Sequence, residues 1–233
     1  VALLAYLAMN RGPHTRGALA LLLWPDSPNA RVHLRGCLHR LHQALGSDAG
    51  QWLESDGDRV ALRGGADCQI DVIDFCRRVE QIRRHNHAGE LLCPDCRAAA
   101  LEAVALYRDD LLAHLAPRDC PEFDVWLLTQ REHLRQEACT VLAMLADDCA
   151  AEHAWDIAIE HARHRLALDP LDEAAHRMLM LLYARSDRRM FALRQYEECV
   201  RILQAELDAP PDEQTEALAR SIRDGEISAQ VAP

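Results

Sequence analysis

Lysine is absent from this sequence, and all 26 basic side chains other than histidine are arginines. We attribute this to genomic composition bias rather than to mechanism. The acids outnumber them, at 37, and the formal net charge of −11 taken alone argues against a nucleic-acid partner. However, residues 1–63 hold seven arginines against five acids, so the excess negative charge lies wholly in the remainder. Because the distribution of charge matters more than its sum, the first segment is still a candidate for binding an anionic partner.

Aromatic residues make up only 5% of the chain, and no apolar run approaches the roughly 18 residues that a membrane helix needs. The opening stretch VALLAYLAM lacks the basic flank and the length of a secretory signal. The nine cysteines are odd in number and scattered through helical patterns, which is typical of reduced thiols. With 49% hydrophobic residues, the composition predicts a soluble, helix-rich, cytoplasmic protein with no membrane partner.

Common catalytic motifs are also missing. The sequence has no G-x-G-x-x-G, no phosphate-binding loop, no H-E-x-x-H and no glycine-flanked serine nucleophile. Neighbouring acids such as Asp109 and Asp110 point about 100° apart on a helix, which favours solvated rather than catalytic carboxylates. We expect no enzymatic activity from this chain.

The segment NARVHLRGCLHRLHQALG, residues 29–46, contains basic residues and no acid. Asn29 is a good helix N-cap and Gly46 a good stop. Leucines at helical spacing form one apolar stripe: Leu34, Leu38, Leu41 and Leu45. Basic side chains recur on the opposite face: Arg31, Arg35, His39 and His42, with Arg40 beside them. The pattern predicts a helix that buries one face and presents hydrogen-bond donors on the other.

Two shorter helices are predicted before this one, and a hairpin after it. The first ends at Gly12, and the second opens near Thr15 and stops at Pro25. In WLESDGDRVALRGG, apolar and polar residues alternate on both sides of Asp56-Gly57, which predicts a β-hairpin. Three helices followed by a hairpin are the order of a winged helix-turn-helix, whose third helix enters the major groove of DNA. The alternative is that the basic residues form only a solvated face.

Eight residues of this region are predicted to contact DNA: Thr15, Arg16, Arg31, His33, Arg35, His39, Arg40 and Arg59. The arginines of the third helix can bind guanine edges or phosphates, and its histidines can do either more weakly. Arg35 is the candidate for a base contact because it lies at the centre of the exposed face. Thr15 and Arg16, at the start of the second helix, are predicted to hold the DNA backbone.

From about Leu91 to Asp224 the sequence predicts successive helices with little strand signal. Three pairs of apolar residues are related by an offset of 34: Ala158 and Ala192, Leu166 and Val200, and Leu168 and Ile202. This period predicts tetratricopeptide-like repeats, with an ordinary helical bundle as the alternative. The predicted fold is therefore mainly α, a partial winged helix-turn-helix followed by a helical repeat domain. The predicted boundaries are 1–75 for the first domain, 76–96 for a connecting segment, 97–225 for the repeats and 226–233 for a tail.

The stretch HNHAGELLCPDC carries a second chemical pattern. His85, His87, Cys93 and Cys96 are the ligand types of a structural Zn²⁺ site, with Cys76 and Cys120 as substitutes. The alternative is that Cys93-Pro94 is simply the loop before a helix. If zinc binds, we expect it to join the winged helix to the repeats.

Taken in order, these stretches resemble the bacterial transcriptional activator domain family, regulators of the antibiotic-regulatory type. The matching segments include LALLLWPDSPNARVHLRGCLHRLHQALG, WLESDGDRVAL, LEAVALYRDDLLAHL and LALDPLDEAAHRMLMLLYA. The resemblance implies a transcription factor that binds direct repeats near promoters and helps recruit RNA polymerase. It implies that the helix over 29–45 reads DNA and that the hairpin over 52–62 is the wing. Double-stranded DNA, RNA polymerase or another protein, and a second copy of the chain are the expected partners.

This sequence departs from the family pattern in three places. Val32-His33 stands where an asparagine often precedes the LR pair, and the wing tip SDGD is acidic, which leaves Arg59 and Arg63 for phosphate. The family's winged helix also begins with a small β-sheet, whereas this chain starts inside the first helix, so we expect it to be a fragment of a longer regulator. The second hypothesis is a protein-interaction scaffold whose winged helix no longer binds DNA.

Overall fold

The computed structural model of the chain describes residues 1–46, 49–63, 69–85, 91–115 and 119–227. These ranges form eleven helices and three short strands, so the predicted mainly helical class is confirmed. The chain divides into two compact units that are not contiguous in sequence. The first unit comprises residues 1–77 and 106–134, and the second comprises residues 78–105 and 135–233.

The first unit contains the three predicted helices and the predicted hairpin. Its elements run in this order: α1 (Ala2–Met9), β1 (His14–Thr15), α2 (Arg16–Leu23), α3 (Ala30–Leu45), α4 (Ala49–Trp52), β2 (Leu53–Asp56) and β3 (Arg59–Leu62). Thr15 caps α2, since its hydroxyl accepts a hydrogen bond from the Ala18 amide at 3.2 Å. Asn29 precedes α3 as predicted, but its side chain makes no capping bond.

A three-stranded antiparallel sheet in the order β1-β3-β2 includes one strand that the sequence did not predict. The hairpin pairs Leu53 with Leu62 and Asp56 with Arg59. Strand β1 adds to its other edge, with His14 opposite Val60. A two-residue strand is too short to show an alternating pattern, so residue spacing does not predict it.

The core of the first unit is built largely from leucines. Leu34 and Leu38 of α3 are 1% and 4% exposed, which confirms the inner half of the predicted stripe, and Leu41 and Leu45 are partly buried beside them. The core is completed by residues of a later helix, α7 (Pro121–Ala151), through Phe123 and Leu127.

The remaining helices are α5 (Asp71–Arg84), α6 (Pro94–Leu106), α8 (Trp155–Leu168), α9 (Glu173–Arg185), α10 (Arg189–Leu207) and α11 (Glu213–Asp224). Helix α5 occupies much of the segment predicted as a connection. The predicted run of helices up to Asp224 is confirmed, and no described helix is both long and apolar enough to cross a bilayer.

The core of the second unit lies among α7 to α11. Ala158 and Ala192, the pair singled out by the offset of 34, are both fully buried in it. Helices α8 and α10 begin at Trp155 and Arg189, the same offset apart. The two helix pairs α8–α9 and α10–α11 thus follow one another with the predicted spacing, while their assignment to the tetratricopeptide class stays a prediction.

Candidate nucleic-acid interface

The outer face of α3 is exposed and cationic. Five of the predicted DNA-contacting residues lie on it with exposed side chains: Arg31, His33, Arg35, His39 and Arg40. The helix has 16 residues, which corresponds to a length of about 24 Å, and its buried Leu34 and Leu38 fix which face points outward. Burial of the leucine stripe therefore presents the basic stripe to solvent.

The arginines of this face carry uncompensated charge. Helix α3 contains no acid, and within the described ranges no carboxylate pairs with Arg31, Arg35 or Arg40. By contrast, many arginines of the second unit are paired, for example Arg165 with Asp172 at 2.6 Å. Unpaired guanidinium groups in a row are available to phosphates or to base edges.

The start of α2 lies close to the first arginine of α3. The Nη2 of Arg31 is 3.5 Å from the position that a Cβ on Gly17 would occupy. Thr15, which caps this end of α2, still has its hydroxyl proton to donate after accepting from Ala18. Arg31 therefore lies near the first turn of α2, which Thr15 caps, and an anionic group is favoured at a helix N-terminus.

Arg16 makes contacts to the wing, and its predicted contact with the DNA backbone stays a prediction. Its Nε donates to the Gly57 carbonyl at 3.0 Å, and its Nη2 donates to the Ser55 hydroxyl at 2.6 Å. Its backbone amide donates to the Asp58 carbonyl at 2.7 Å. Arg16 thus positions the wing tip against α2, and the rest of its five donors are left for a phosphate.

His33 packs against a tryptophan that precedes α3. The ring centroids of Trp24 and His33 are 5.8 Å apart with a tilt of 38°. Because Trp24 is partly buried against the core, this contact holds the His33 ring close to the protein surface. Sequence spacing could not find the contact, since the two residues lie on either side of a turn.

The wing is as acidic as the sequence indicated. Arg63 donates to Glu54 at 3.0 Å, and this hydrogen bond lowers the pKa of Glu54 below its usual value. Asp56 and Asp58 are exposed beside Arg59. Arg63 is therefore neutralised locally, and Arg59 is the unpaired wing cation within the described ranges.

The predicted metal ligands form a second cluster, in the second unit. The Nδ1 of His85 lies 3.5 Å from the Cys93 sulfur and 3.3 Å from the Cys96 sulfur. His87 lies outside the described residues, and neither Cys76 nor Cys120 belongs to this group of candidate ligands. All three clustered residues belong to one unit, so the cluster does not fit the predicted role of joining the winged helix to the repeats.

The two cysteine thiols have opposite pKa shifts. Hydrogen bonds from the Cys96 amide and from His85 lower the pKa of Cys93. Burial raises the pKa of Cys96 to about 11, because it disfavours the thiolate, and the neighbouring Cys93 adds to the shift. The thiolate form is therefore more favoured at Cys93 than at Cys96.

The chain is similar to known proteins both in sequence, through a family model, and in fold. Residues 70–223 match the family model described as bacterial transcriptional activator domain, which is more than half of the chain. No curated protein matches the sequence. Among solved structures, EmbR of Mycobacterium tuberculosis, in complex with a low-affinity phosphopeptide, is similar with a TM-score of 0.73 and 21% identity. The match covers 99% of this chain and 59% of the EmbR chain, and at this identity it shows the fold.

Proposed function

The chain belongs to the bacterial transcriptional activator domain family, and from this premise we propose that it is a transcriptional regulator that binds promoter DNA through α3. The observation that carries the proposal is the exposed, acid-free face of α3, whose arginines have no carboxylate partner within the described ranges. An overall charge of −11 would oppose DNA binding if it were spread evenly, but this face concentrates positive charge on one helix.

Within this proposal, Arg35 donates to a guanine edge in the major groove, and Arg31 and Arg40 neutralise phosphates. His39 adds a weaker donor one turn beyond Arg35, whereas His33 acts mainly through its packing on Trp24. Thr15 and Arg59 bind the DNA backbone from the start of α2 and from the wing. The contact between Arg16 and the wing tip fixes the position of Arg59 relative to Thr15, and so the spacing of their two contacts with the DNA backbone.

The second unit is proposed to contact RNA polymerase or another protein as an activator surface. Three exposed apolar side chains lie at the starts of α8 and α10: Ile157 is 52% exposed, Met190 64% and Phe191 50%. Arg188 pairs with Asp156 at 2.6 Å, which brings the two helix starts together, and a patch of exposed large apolar residues is typical of protein-binding surfaces. The acidic charge of residues 64–233 discourages contact with DNA and favours a partner with basic and apolar groups.

The test is fluorescence anisotropy of the chain on random duplex DNA across a salt series. Arg35→Ala combined with Arg40→Ala should weaken binding at low salt, and it should flatten the dependence on salt because fewer counterions are released. Arg220→Ala combined with Arg223→Ala is the matched control, since it removes two exposed arginines from α11, in the other unit. Circular dichroism must show the same fold for all variants.

Two results would contradict DNA binding through α3. One is the absence of any binding at low salt by the folded chain. The other is an equal loss of affinity in the α3 double variant and in the α11 control, which would indicate non-specific charge effects.

A second candidate function is a protein-interaction scaffold that no longer binds DNA. The observation that favours it is the wing, where Glu54 neutralises Arg63 and two further acids flank Arg59. The salt series separates the two candidates, because contacts between an apolar surface and a peptide change little with salt.

A further inference from the structure

The cluster formed by His85, Cys93 and Cys96 is not used by the proposed DNA contacts. Its ligand atoms all lie within 4.8 Å of one another. His85 directly follows α5, Cys93 directly precedes α6, and Cys96 lies in the first turn of α6. We propose that these three side chains hold a structural Zn²⁺ ion that fixes the end of α5 to the start of α6.

The distances fit a tetrahedral zinc site. Zinc binds cysteine sulfur at about 2.3 Å and histidine nitrogen at about 2.05 Å, so neighbouring sulfur and nitrogen ligands lie about 3.5 Å apart at tetrahedral angles. The two observed separations from the His85 Nδ1 are 3.5 Å to the Cys93 sulfur and 3.3 Å to the Cys96 sulfur. Both nitrogen-to-sulfur separations thus match the spacing of tetrahedral zinc ligands, and a further ligand completes the coordination.

Two sulfurs approach the same ring nitrogen, the Nδ1 of His85, which is the arrangement expected of three ligand atoms around one cation. A cation held between them binds to all three atoms at once. The pair of soft thiolates with an imidazole selects zinc over magnesium or calcium.

The surroundings of the cluster support a structural rather than an open catalytic site. Cys96 is fully buried, and the next residue, Arg97, forms ion pairs with Asp148 at 2.6 Å and with Glu152. Asp148 also accepts from the Leu92 amide at 3.0 Å, just before Cys93. Residues 92–97 are therefore held on both sides of the two cysteines, which limits the entropy lost when a cation binds.

The first test measures metal in the wild-type chain purified under reducing conditions without chelator. Native mass spectrometry and elemental analysis should give about one zinc per chain. Replacing zinc by Co²⁺ should give thiolate-to-cobalt charge-transfer absorption and intense tetrahedral d–d bands. Chelation should release the ion and expose two additional thiols to alkylation.

Variants then assign the ligands. Cys93→Ser, Cys96→Ser and His85→Ala should each lose stoichiometric zinc and the cobalt charge-transfer band. Cys139→Ser is the matched control, since this cysteine belongs to the same unit on α7 and its sulfur makes only a long contact of 3.9 Å to the Arg165 carbonyl. It should retain both signals.

The proposal is overturned if the wild-type chain carries well below one zinc and gives no cobalt charge-transfer band. A wild-type mass that shows a Cys93–Cys96 disulfide without metal would overturn it in favour of a redox pair. If the ligand variants fail to fold, the wild-type metal content and cobalt spectrum still decide.

Discussion

His153 and Asp187 occupy equivalent positions, 34 residues apart, and both take the left-handed backbone conformation, with φ of 58° and 61°. The hydrogen bonds around them also repeat. Ala154 donates to the Cys149 carbonyl at 2.9 Å, and Arg188 donates to the Tyr183 carbonyl at 2.7 Å. Helices α7 and α9 therefore end in the same Schellman turn, which gives α8 and α10 the same start.

The left-handed turn at Asp187 predicts a stabilising substitution. Asp187→Gly should raise the free energy of unfolding by about 0.5–1 kcal/mol, because glycine adopts a positive φ without the steric cost that a Cβ imposes. Asp187 is exposed, so little packing is lost. Urea unfolding monitored by circular dichroism measures the change.

Asp187→Ala is the control for this position. It keeps the Cβ and should not stabilise the chain. Equal stabilisation by alanine and glycine would show that the charge of Asp187, and not its backbone conformation, limits stability.

A buried histidine joins the α8–α9 loop to α10. His176 is 1% exposed, its Nε2 donates to the Pro170 carbonyl at 3.0 Å, and its Nδ1 accepts from the Gln195 amide at 2.8 Å. His176→Leu should lower the free energy of unfolding by about 2 kcal/mol, because it removes two hydrogen bonds of about 1 kcal/mol each.

A double-mutant cycle with Gln195→Leu checks this interpretation. The two substitutions should be less than additive by about 0.5–3 kcal/mol in urea unfolding. Strict additivity would show that the bond between His176 and Gln195 does not contribute to stability.

On α3, replacing a buried residue and replacing an exposed one should have different effects on the free energy of unfolding. Leu34→Ala should cost about 2–5 kcal/mol of stability, since this side chain is 1% exposed in the core. Arg35→Ala, one residue on, should change stability by no more than about 0.5 kcal/mol because the side chain is exposed. Thermal and urea unfolding of the two variants compare the effects, and a large loss in the arginine variant would assign Arg35 to structure instead.

Single phosphate contacts should be visible in the salt dependence of DNA binding. Arg31→Ala and Arg59→Ala should each reduce the magnitude of the slope of log K against log salt by about 0.9. Arg63→Ala should reduce it less, because Glu54 already pairs with Arg63. A slope that changes equally in all three variants would argue against a specific role for the unpaired cations.

Periodicity predicted most of the first unit from the sequence. The leucine spacing of α3 placed Leu34 and Leu38 in the core and so exposed Arg35 correctly. Local patterns failed where a contact joins distant segments. The pairing of β1 with β3 and the bonds from Arg16 to Ser55 and Gly57 depend on tertiary geometry, which residue spacing does not encode.

The sequence predicted which residue types form the proposed metal site, but not where in the fold they lie. The cysteine pair and the histidine stand out by spacing alone, and the structure brings His85, Cys93 and Cys96 together. The sequence could not predict that all three belong to one unit, because each unit is made of two segments that are separated in sequence. The sequence showed a boundary near residue 75 and gave no sign that residues 106–134 belong with the first unit.

The alternation of segments from the two units along the chain limits where recombination can divide the gene. A recombination break near residue 75 would part the N-terminal helices from Phe123 and Leu127, which are 0% and 2% exposed in the same core. The segment that carries α3 would then lack part of the hydrophobic core of the first unit. Gene fusions that join the first unit to a new protein should therefore include the chain at least as far as residue 134. Because the segments of the two units alternate along the chain, we expect the two units to be inherited together.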